Sequence, residues 1–519
     1  MKRHNYIALI ALGFAALTAC DKFLDELPDD RVSSLADLGK IKSFLVSSYP
    51  QNSPNLMLEY SSDNVMHNGD NYGSIPMLDL LYRWKDNNED GNDSPRSIWN
   101  AHFTAAVTAN QALEALSEMG HGTEVDALRA EALLCRAYAM FQLANTFCMA
   151  WNPEKADEYL GIPYPKHVDE SVDERGTLAE LYANINADIE EALPMMNDSH
   201  LDTPKWHFNT KAGYAFAARF NLYYLNDEKA IEYASKVLGA APILRNVASY
   251  GSLAGAYDIH NAYLKDDTNL MFVASYSLFG RCSMGEYTRY GHSREMITNE
   301  TFWARMPWGS GSSTSANALH ESRLQYGSNE HVLYPKMFEM FEYTDKVGGI
   351  GFAHIVDPVF TMDETLLVRA EAYVRTKQYD LALKDMNTWI TYHCAEKFGS
   401  TPRPVLTEAS VNSFMNSLPE VPAVVERDTQ RGIKKPLHPQ GFTVEEGTMT
   451  NMLYTVLQMR RLETWWQGLR FQDIKRYGIE FSHNLVDMDP LAFTAGDLRG
   501  ALQLPADVIV AGLEANPRN

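Results

Sequence analysis

The stretch EYSSDNVMHNGD places Asp63, His67 and Asp70 four and three residues apart. Two carboxylates and an imidazole are donors suited to a divalent cation. They are also ordinary members of a polar loop, and with no further ligand at a usable spacing the loop reading is preferred, so no metal or other cofactor is expected. Fifteen histidines are scattered through the chain without ligand spacing. There is no HExxH, no phosphate-binding P-loop, no GxSxG nucleophile elbow and no GxGxxG after a strand pattern. Paired carboxylates, the machinery of glycoside hydrolysis, are easy to find anywhere among 67 acidic residues. One such pair, Glu190-Glu191, falls on a helical pattern where both groups are solvated. No catalytic residues are assigned, and a binding protein is expected rather than an enzyme.

One cysteine is placed where covalent chemistry is expected. Lys2 and Arg3 form a basic start, Ile7 to Leu17 an apolar run of eleven residues, and Leu17-Thr18-Ala19-Cys20 follows. The run is too short to span a bilayer, which takes about 20 residues, and residues 1–19 read as a signal peptide. The last four residues closely resemble the bacterial lipobox. In that system the Cys20 thiol is alkylated with diacylglycerol, the chain is cut before it and the new amine is acylated. The plainer alternative is an ordinary signal peptide with a chance cysteine. Because each buried methylene contributes about 0.8 kcal/mol, several acyl chains anchor a protein without a spanning helix. The remaining cysteines, Cys135, Cys148, Cys282 and Cys394, form no CxxC pair and read as buried or incidental thiols.

Removing residues 1–19 leaves 43 basic against 67 acidic residues, a formal charge of −24. Nucleic acid is therefore excluded as a partner. Strongly anionic ligands are disfavoured too, unless Arg83, Arg289 or Arg294 provides a local cationic site.

The elements that must position any site are predominantly α-helical. In TLLVRAEAYVRTKQYDLALKDMNTWI, Ala370, Tyr373, Ala382 and Met386 occupy the small and bulky positions by which tetratricopeptide-repeat helices interlock around a turn at Lys377-Gln378. Aligning Ala230 with Ala382 superposes AGYAFAARFNLYYLNDEKAIEYASKVL on that plan, with Ala218 on Ala370 and Asn221 in place of Tyr373. A further pair is expected on either side of His121-Gly122. Repeat-like helices are thus placed within 97–240 and 361–394. Residues 51–98 and 277–335 read as long irregular loops rich in Gly, Ser, Asn and Asp, yet aromatic enough to be ordered and functional. The proline-rich segment 399–448 reads as a surface excursion.

Both ends carry a family resemblance. Cys20-Asp-Lys-Phe-Leu-Asp-Glu-Leu-Pro-Asp resembles the start of the SusD/RagB family, outer-membrane nutrient-binding lipoproteins of Bacteroidota. RRLETWWQGLRFQDIKRYG, residues 460–478, resembles that family's signature, carried here by Arg461, Glu463, Trp466, Gly468, Arg470, Asp473 and Arg476. Gln467 stands where the family commonly has Glu. The ending LQLPADVIVAGLEANPRN agrees, so a signature region over 460–519 is assigned. On a helix Arg470, Asp473 and Arg476 are neighbours at three-residue spacing, which suits a partly buried salt-bridge network packed by Trp465 and Trp466; these residues are read as structural.

The resemblance implies a single SusD-like domain over 20–519 with a lipidated tether and N-terminal segment over 20–50. Phe23, Leu24 and Leu27 would dock while Asp21, Asp25 and Glu26 stay solvated. In this family an acidic segment after the cysteine is associated with export to the cell surface. The resemblance also implies a partner, a SusC-like TonB-dependent outer-membrane transporter, over which the lipoprotein sits as a hinged lid, and a function in polysaccharide utilisation. The implied ligand is an oligosaccharide or polysaccharide; some members instead serve peptide uptake. Sugar rings stack their C–H faces on aromatic side chains while Asn, Asp and Arg bind the hydroxyls. On that basis the glycan-binding candidates are Tyr72, Tyr82 and Trp84 in the first loop and Tyr287, Tyr290, Trp303 and Trp308 in the second. The competing reading is that such large aromatics anchor their loops to the helices.

Overall fold

The computed structural model describes residues 35, 37–168, 174–283, 288–309, 318–398, 400–486 and 488–518. Cys20 and the tether, with Phe23, Leu24 and Leu27, lie outside the described residues, as does Tyr287. The architecture is predominantly α-helical. Among the described residues no helix is long and apolar enough to cross a membrane.

The chain opens with α1 (Leu38–Leu45), α2 (Asn55–Tyr60), strand β1 (Met66–His67) and α3 (Pro76–Tyr82). Two long antiparallel helices follow, α4 (Pro95–Ser117) and α5 (Thr123–Phe147). Ser94 caps α4 by accepting from the Ser97 amide at 3.2 Å, with Pro95 at the first helical position, where a missing N–H costs nothing. Helix α5 is buried on nearly every face, as its near-continuous run of Ala, Leu, Cys and aromatic residues requires. Its last carbonyls are capped from distant parts of the chain: Asn145 O accepts from Gln472 and Lys475, and Phe147 O from Arg175 and Asn516. Arg136 of α5 forks onto Asp188 of α6 (Leu178–Ala192) with two bonds of 2.7 Å.

The expected repeat is present down to single hydrogen bonds. Helices α7 (Thr210–Tyr223) and α8 (Asp227–Leu238) are matched by α11 (Met362–Arg375) and α12 (Tyr379–His393). Leu225 and Lys377, at equivalent places in the two turns, both adopt positive φ, 63° and 59°. The following amides, of Asn226 and Gln378, both donate at 2.8 Å to the carbonyls of Asn221 and Tyr373. Ala218, Ala230, Ala370 and Ala382 are fully buried, as their interlocking role demands. Asn221, the departure from the pattern, is buried too, and its side-chain NH₂ donates to the Ala217 carbonyl.

Between the two pairs lie α9 (Ala256–Lys265), β2 (Asn269–Tyr276), β3 (Tyr290–Gly291), α10 (Arg294–Asn299) and the hairpin of β4 (Met340–Asp345) with β5 (Ile350–Thr361). The order β2-β5-β4 makes an antiparallel three-stranded sheet. The family-signature residues build α13 (Thr448–Glu463) and α14 (Leu469–Tyr477), followed by the hairpin β6 (Phe481–Leu485) and β7 (Met488–Phe493). All four cysteines are buried and free, among the described residues.

Two expectations change. Residues 51–98 are not an irregular loop: α2 and α3 are helical within them, too short to leave a 3.6-residue periodicity. Segment 399–448 is not purely a surface excursion, because its Lys435 is buried and bonds Asp63 at 2.6 Å and Glu300 at 2.8 Å.

Candidate functional site

The two aromatic segments meet. Strands β1 and β3 pair antiparallel, Met66 opposite Gly291 and His67 opposite Tyr290, and the contact continues through a bridge from Gly73 to Thr288. Asn68 N donates to Arg289 O at 2.7 Å and Arg289 N to Gly73 O at 3.1 Å. Residues 326–333 complete the platform: the Asn68 side chain donates to Glu330 O, His331 Nε2 lies 2.6 Å from Thr288 O, and Val332 N donates to His292 O. Loops braced in this way hold side chains in fixed positions at a surface.

Tyr72 is half-buried on this platform, its ring edge-on to His331 at 4.7 Å. Asp70 is exposed and accepts from Arg289 Nη1 at 3.2 Å, with His67 Nε2 at 3.4 Å. Arg83 pairs with Asp79 at 3.1 Å, and Asp79 also accepts from the Tyr290 hydroxyl. Arg83 and Arg289 therefore stand in one neighbourhood, each next to a carboxylate. Partial burial lowers the pKa of His67, with Asp70 opposing, so its imidazole is neutral at pH 7. The surface combines an aromatic edge with carboxylate, guanidinium, amide and imidazole groups, a set able to hydrogen-bond a polyhydroxylated ligand.

Five of the expected stacking residues are buried. Tyr82, Trp84, Tyr290, Trp303 and Trp308 are 0–7% exposed, so none offers a ring face to a ligand. Tyr82, His483 and Trp84 form a stacked column, with ring centroids 3.9 and 4.4 Å apart and planes within 7°. Tyr290 packs on Tyr82 at 4.5 Å. The column holds α3 and β1 through polar ends: Tyr82 Oη accepts from His67 N at 3.1 Å and donates to Asn484 O, and Trp84 Nε1 donates to Ser61 O at 2.9 Å. Trp303 donates to Ser322 O and carries Arg294 over its ring at 5.1 Å, while Trp308 meets Trp389 edge-on. Of the candidates among the described residues, Tyr72 alone reaches the surface. Residue type foretold aromatics in these segments; burial decided which of them a ligand can touch. His331 and Glu330 carried no signal in the sequence.

Asp63, set beside His67 and Asp70 by spacing, serves elsewhere. It is buried and accepts two 2.7 Å bonds from Arg470, with Lys435 and Arg461 alongside. Burial by itself would raise its pKa; the three cations outweigh burial and hold it well below the usual carboxylate range. Glu300, fully buried, is held down to about 2 against its burial by Lys435, Arg431 and Arg461. A narrow cleft behind β1 is lined by Asp63, Met66, Tyr82, Glu300, Arg431 and Lys435, so its charged wall is a set of mutual pairs.

The signature residues are part of this interior. Arg461 donates to Asn64 Oδ1 and Asp63 O, and Gly468 N donates to Glu59 at 2.7 Å with φ +72°. Asp473 pairs with Arg476 at 3.1 Å and with Arg460 at 3.2 Å. Arg470 turns instead to Asp63. Gln467 donates to Asp357 Oδ1 and Pro358 O and accepts from Lys336. A glutamate there would face the Asp357 carboxylate, which explains the amide at this position.

Comparisons agree with this architecture. Residues 22–222 match the SusD-like family model described as starch-binding associating with outer membrane. A SusD superfamily protein from Bacteroides thetaiotaomicron VPI-5482 shares the fold at 17% identity and a TM-score of 0.61, covering 94% of this chain and 99% of its own. A putative sugar binding protein from Bacteroides vulgatus ATCC 8482 does so at 16% identity and 0.63, covering 93% and 98%. A laminarin-binding SusD-like protein matches at 15% identity and 0.54, covering 92% and 99%. A comparison with curated proteins gave no match. The family match is thus confined to residues 22–222, while the fold of SusD superfamily proteins is shared over nearly all of the chain.

Proposed function

We propose that this protein binds an oligosaccharide or polysaccharide without cleaving it, on the platform formed by residues 66–73, 288–294 and 326–333. The observation that carries the reading is the pairing of β1 with β3, which sets Tyr72, Asp70 and Arg289 side by side at a surface braced from below by a buried aromatic column. The family description and the laminarin-binding relative support a glycan as the ligand class. Anchoring through Cys20 at the outer membrane, exposure at the cell surface, and delivery of the glycan to a SusC-like TonB-dependent transporter belong to the same proposal.

The test is native gel electrophoresis of lipid-free residues 21–519 through a panel of soluble polysaccharides, with Tyr72→Ala and Arg289→Ala as variants. Retardation by one glycan, lost in both variants at unchanged Tm, is the expected result. Retardation that survives both would move the site off this platform. No retardation by any glycan would defeat the sugar reading and turn the search to peptides.

A further inference from the structure

A second cluster of chemistry-bearing side chains lies away from the platform, where α11 begins and α12 and α13 end. His393 is buried, with Nδ1 against Glu321 Oε1 and Nε2 at 3.1 Å from Asp363 Oδ1 and 3.5 Å from Glu463 Oε2. We propose that Asp363, His393 and Glu463 are the protein ligands of one divalent cation of the zinc class, with Glu321 orienting the imidazole from behind.

Three observations carry this. The first is spacing. The three donor atoms lie within 4.8 Å of one another, and donors about 2.1 Å from a tetrahedral zinc ion stand roughly 3.4 Å apart. The observed 3.1 and 3.5 Å match that edge. The second is the setting of the imidazole: Glu321 against Nδ1 is the usual support of a metal-bound histidine, and a neutral His393 held that way would turn its Nε2 lone pair to the other two donors. The third is unspent capacity. Asp363 Oδ2 and Glu321 Oε2 are buried and have no hydrogen-bond partner, on residues 0% and 6% exposed. A carboxylate oxygen left so in the interior is costly.

The neighbouring cations do not use this capacity. Arg245 bonds Asp363 only through its backbone amide; its guanidinium donates to Asn269, and its Nε and Nη1 have no partner. Lys336 Nζ is directed at the Glu463 carbonyl and Gln467. Arg245 and Lys336 act on Asp363 and Glu463 through space, and the charge they leave on the three carboxylates calls for either a cation among them or a proton on His393 Nε2. The ligands come from α11, α12 and α13, and Glu321 from the turn His320–Arg323, so the ion would fasten that turn to the helical scaffold.

The site is enclosed, so an ion enters during folding and dialysis does not remove it. The experiment unfolds the full-length mature chain in EDTA, refolds it with Zn²⁺ or with EDTA, and measures metal content by mass spectrometry and Tm. Expected are about one zinc per chain after exhaustive dialysis, a Tm several degrees higher than the EDTA sample, and a visible d–d spectrum when Co²⁺ is used. The exposed-histidine variant His438→Gln keeps the zinc, and His393→Gln loses it if it folds. Folded wild-type chain with less than about a tenth of an equivalent of zinc, and the same Tm in Zn²⁺ and EDTA, would overturn the proposal, as would a nitrogen NMR spectrum of the zinc-refolded chain showing both His393 nitrogens protonated.

Discussion

Single side chains in this protein are chosen as much for where they are buried as for their type. Glu131 is 2% exposed and accepts from Tyr49 Oη and His207 at 2.7 Å, with His200 at 2.9 Å on its other oxygen. Burial pushes its pKa up, but the bonds from His200 and His207 more than compensate and bring it down to about 2. An unfolded glutamate titrates near 4.3, so the stabilisation is whole above that pH and is lost as pH falls through the folded value. It amounts to about 3 kcal/mol. Urea denaturation between pH 5 and 2 is expected to show this loss, and Glu131→Gln to flatten the acid limb of the profile while lowering stability at pH 7. Trp84→Ala is expected to cost about 3–5 kcal/mol by removing a buried ring from the Tyr82–His483 column, which the urea midpoint reads directly. The same ring was an attractive ligand-stacking candidate by type and neighbourhood. Sequence pattern places an aromatic in a loop, but a ring's exposure is set by partners such as His483, about four hundred positions away.

Elements with a long period or a strict motif were legible. The equivalence of Ala218 with Ala370 and Ala230 with Ala382 extends in the structure to the positive φ of Leu225 and Lys377 and to matching turn bonds. Helices α2 and α3, of six and seven residues, complete too few turns to show a hydrophobic stripe, and their segments read as loop. The end of α14 shows how a short motif acts. Gly478 has φ +56°, its amide donates to Ile474 O, and an added Cβ would lie 1.9 Å from the carbonyl oxygen of His438. Only a residue without a side chain lets His438, in segment 399–448, approach the helix end there. Gly478→Ala therefore adds a backbone clash to left-handed strain. We expect a loss of at least 2–3 kcal/mol, on the order of a strained backbone position, measured by thermal or urea unfolding, with Gly251→Ala, where nothing lies within 4 Å and φ is not positive, costing about 0.5 kcal/mol or less.

At the scale of the molecule, buried charge joins what the chain keeps far apart. Asp63 from the first aromatic segment is bonded by Arg470 and Arg461 of the signature and by Lys435 of the excursion, and Glu300 of the second aromatic segment shares Lys435 and Arg461. The signature's charges were legible as a structural network from their three-residue spacing, yet the central carboxylate was not, since nothing in EYSSDNV marks Asp63 as the partner of arginines four hundred residues on. The consequence is mechanical: the network lies directly beneath β1 and links both halves of the binding platform. Asp63→Asn leaves three cations facing an amide in the interior and is expected to cost about 3–5 kcal/mol, the penalty for breaking one side of a buried pair. The loss should be uneven. Hydrogen exchange in 66–73 and 288–294 is expected to accelerate more than in α4 and α5, whose own clamp, Arg136 on Asp188, is untouched. If Asp63→Asn instead raised exchange uniformly, the network would be a general contributor to stability, and the positions of Tyr72 and Arg289 would depend on the β1–β3 ladder alone.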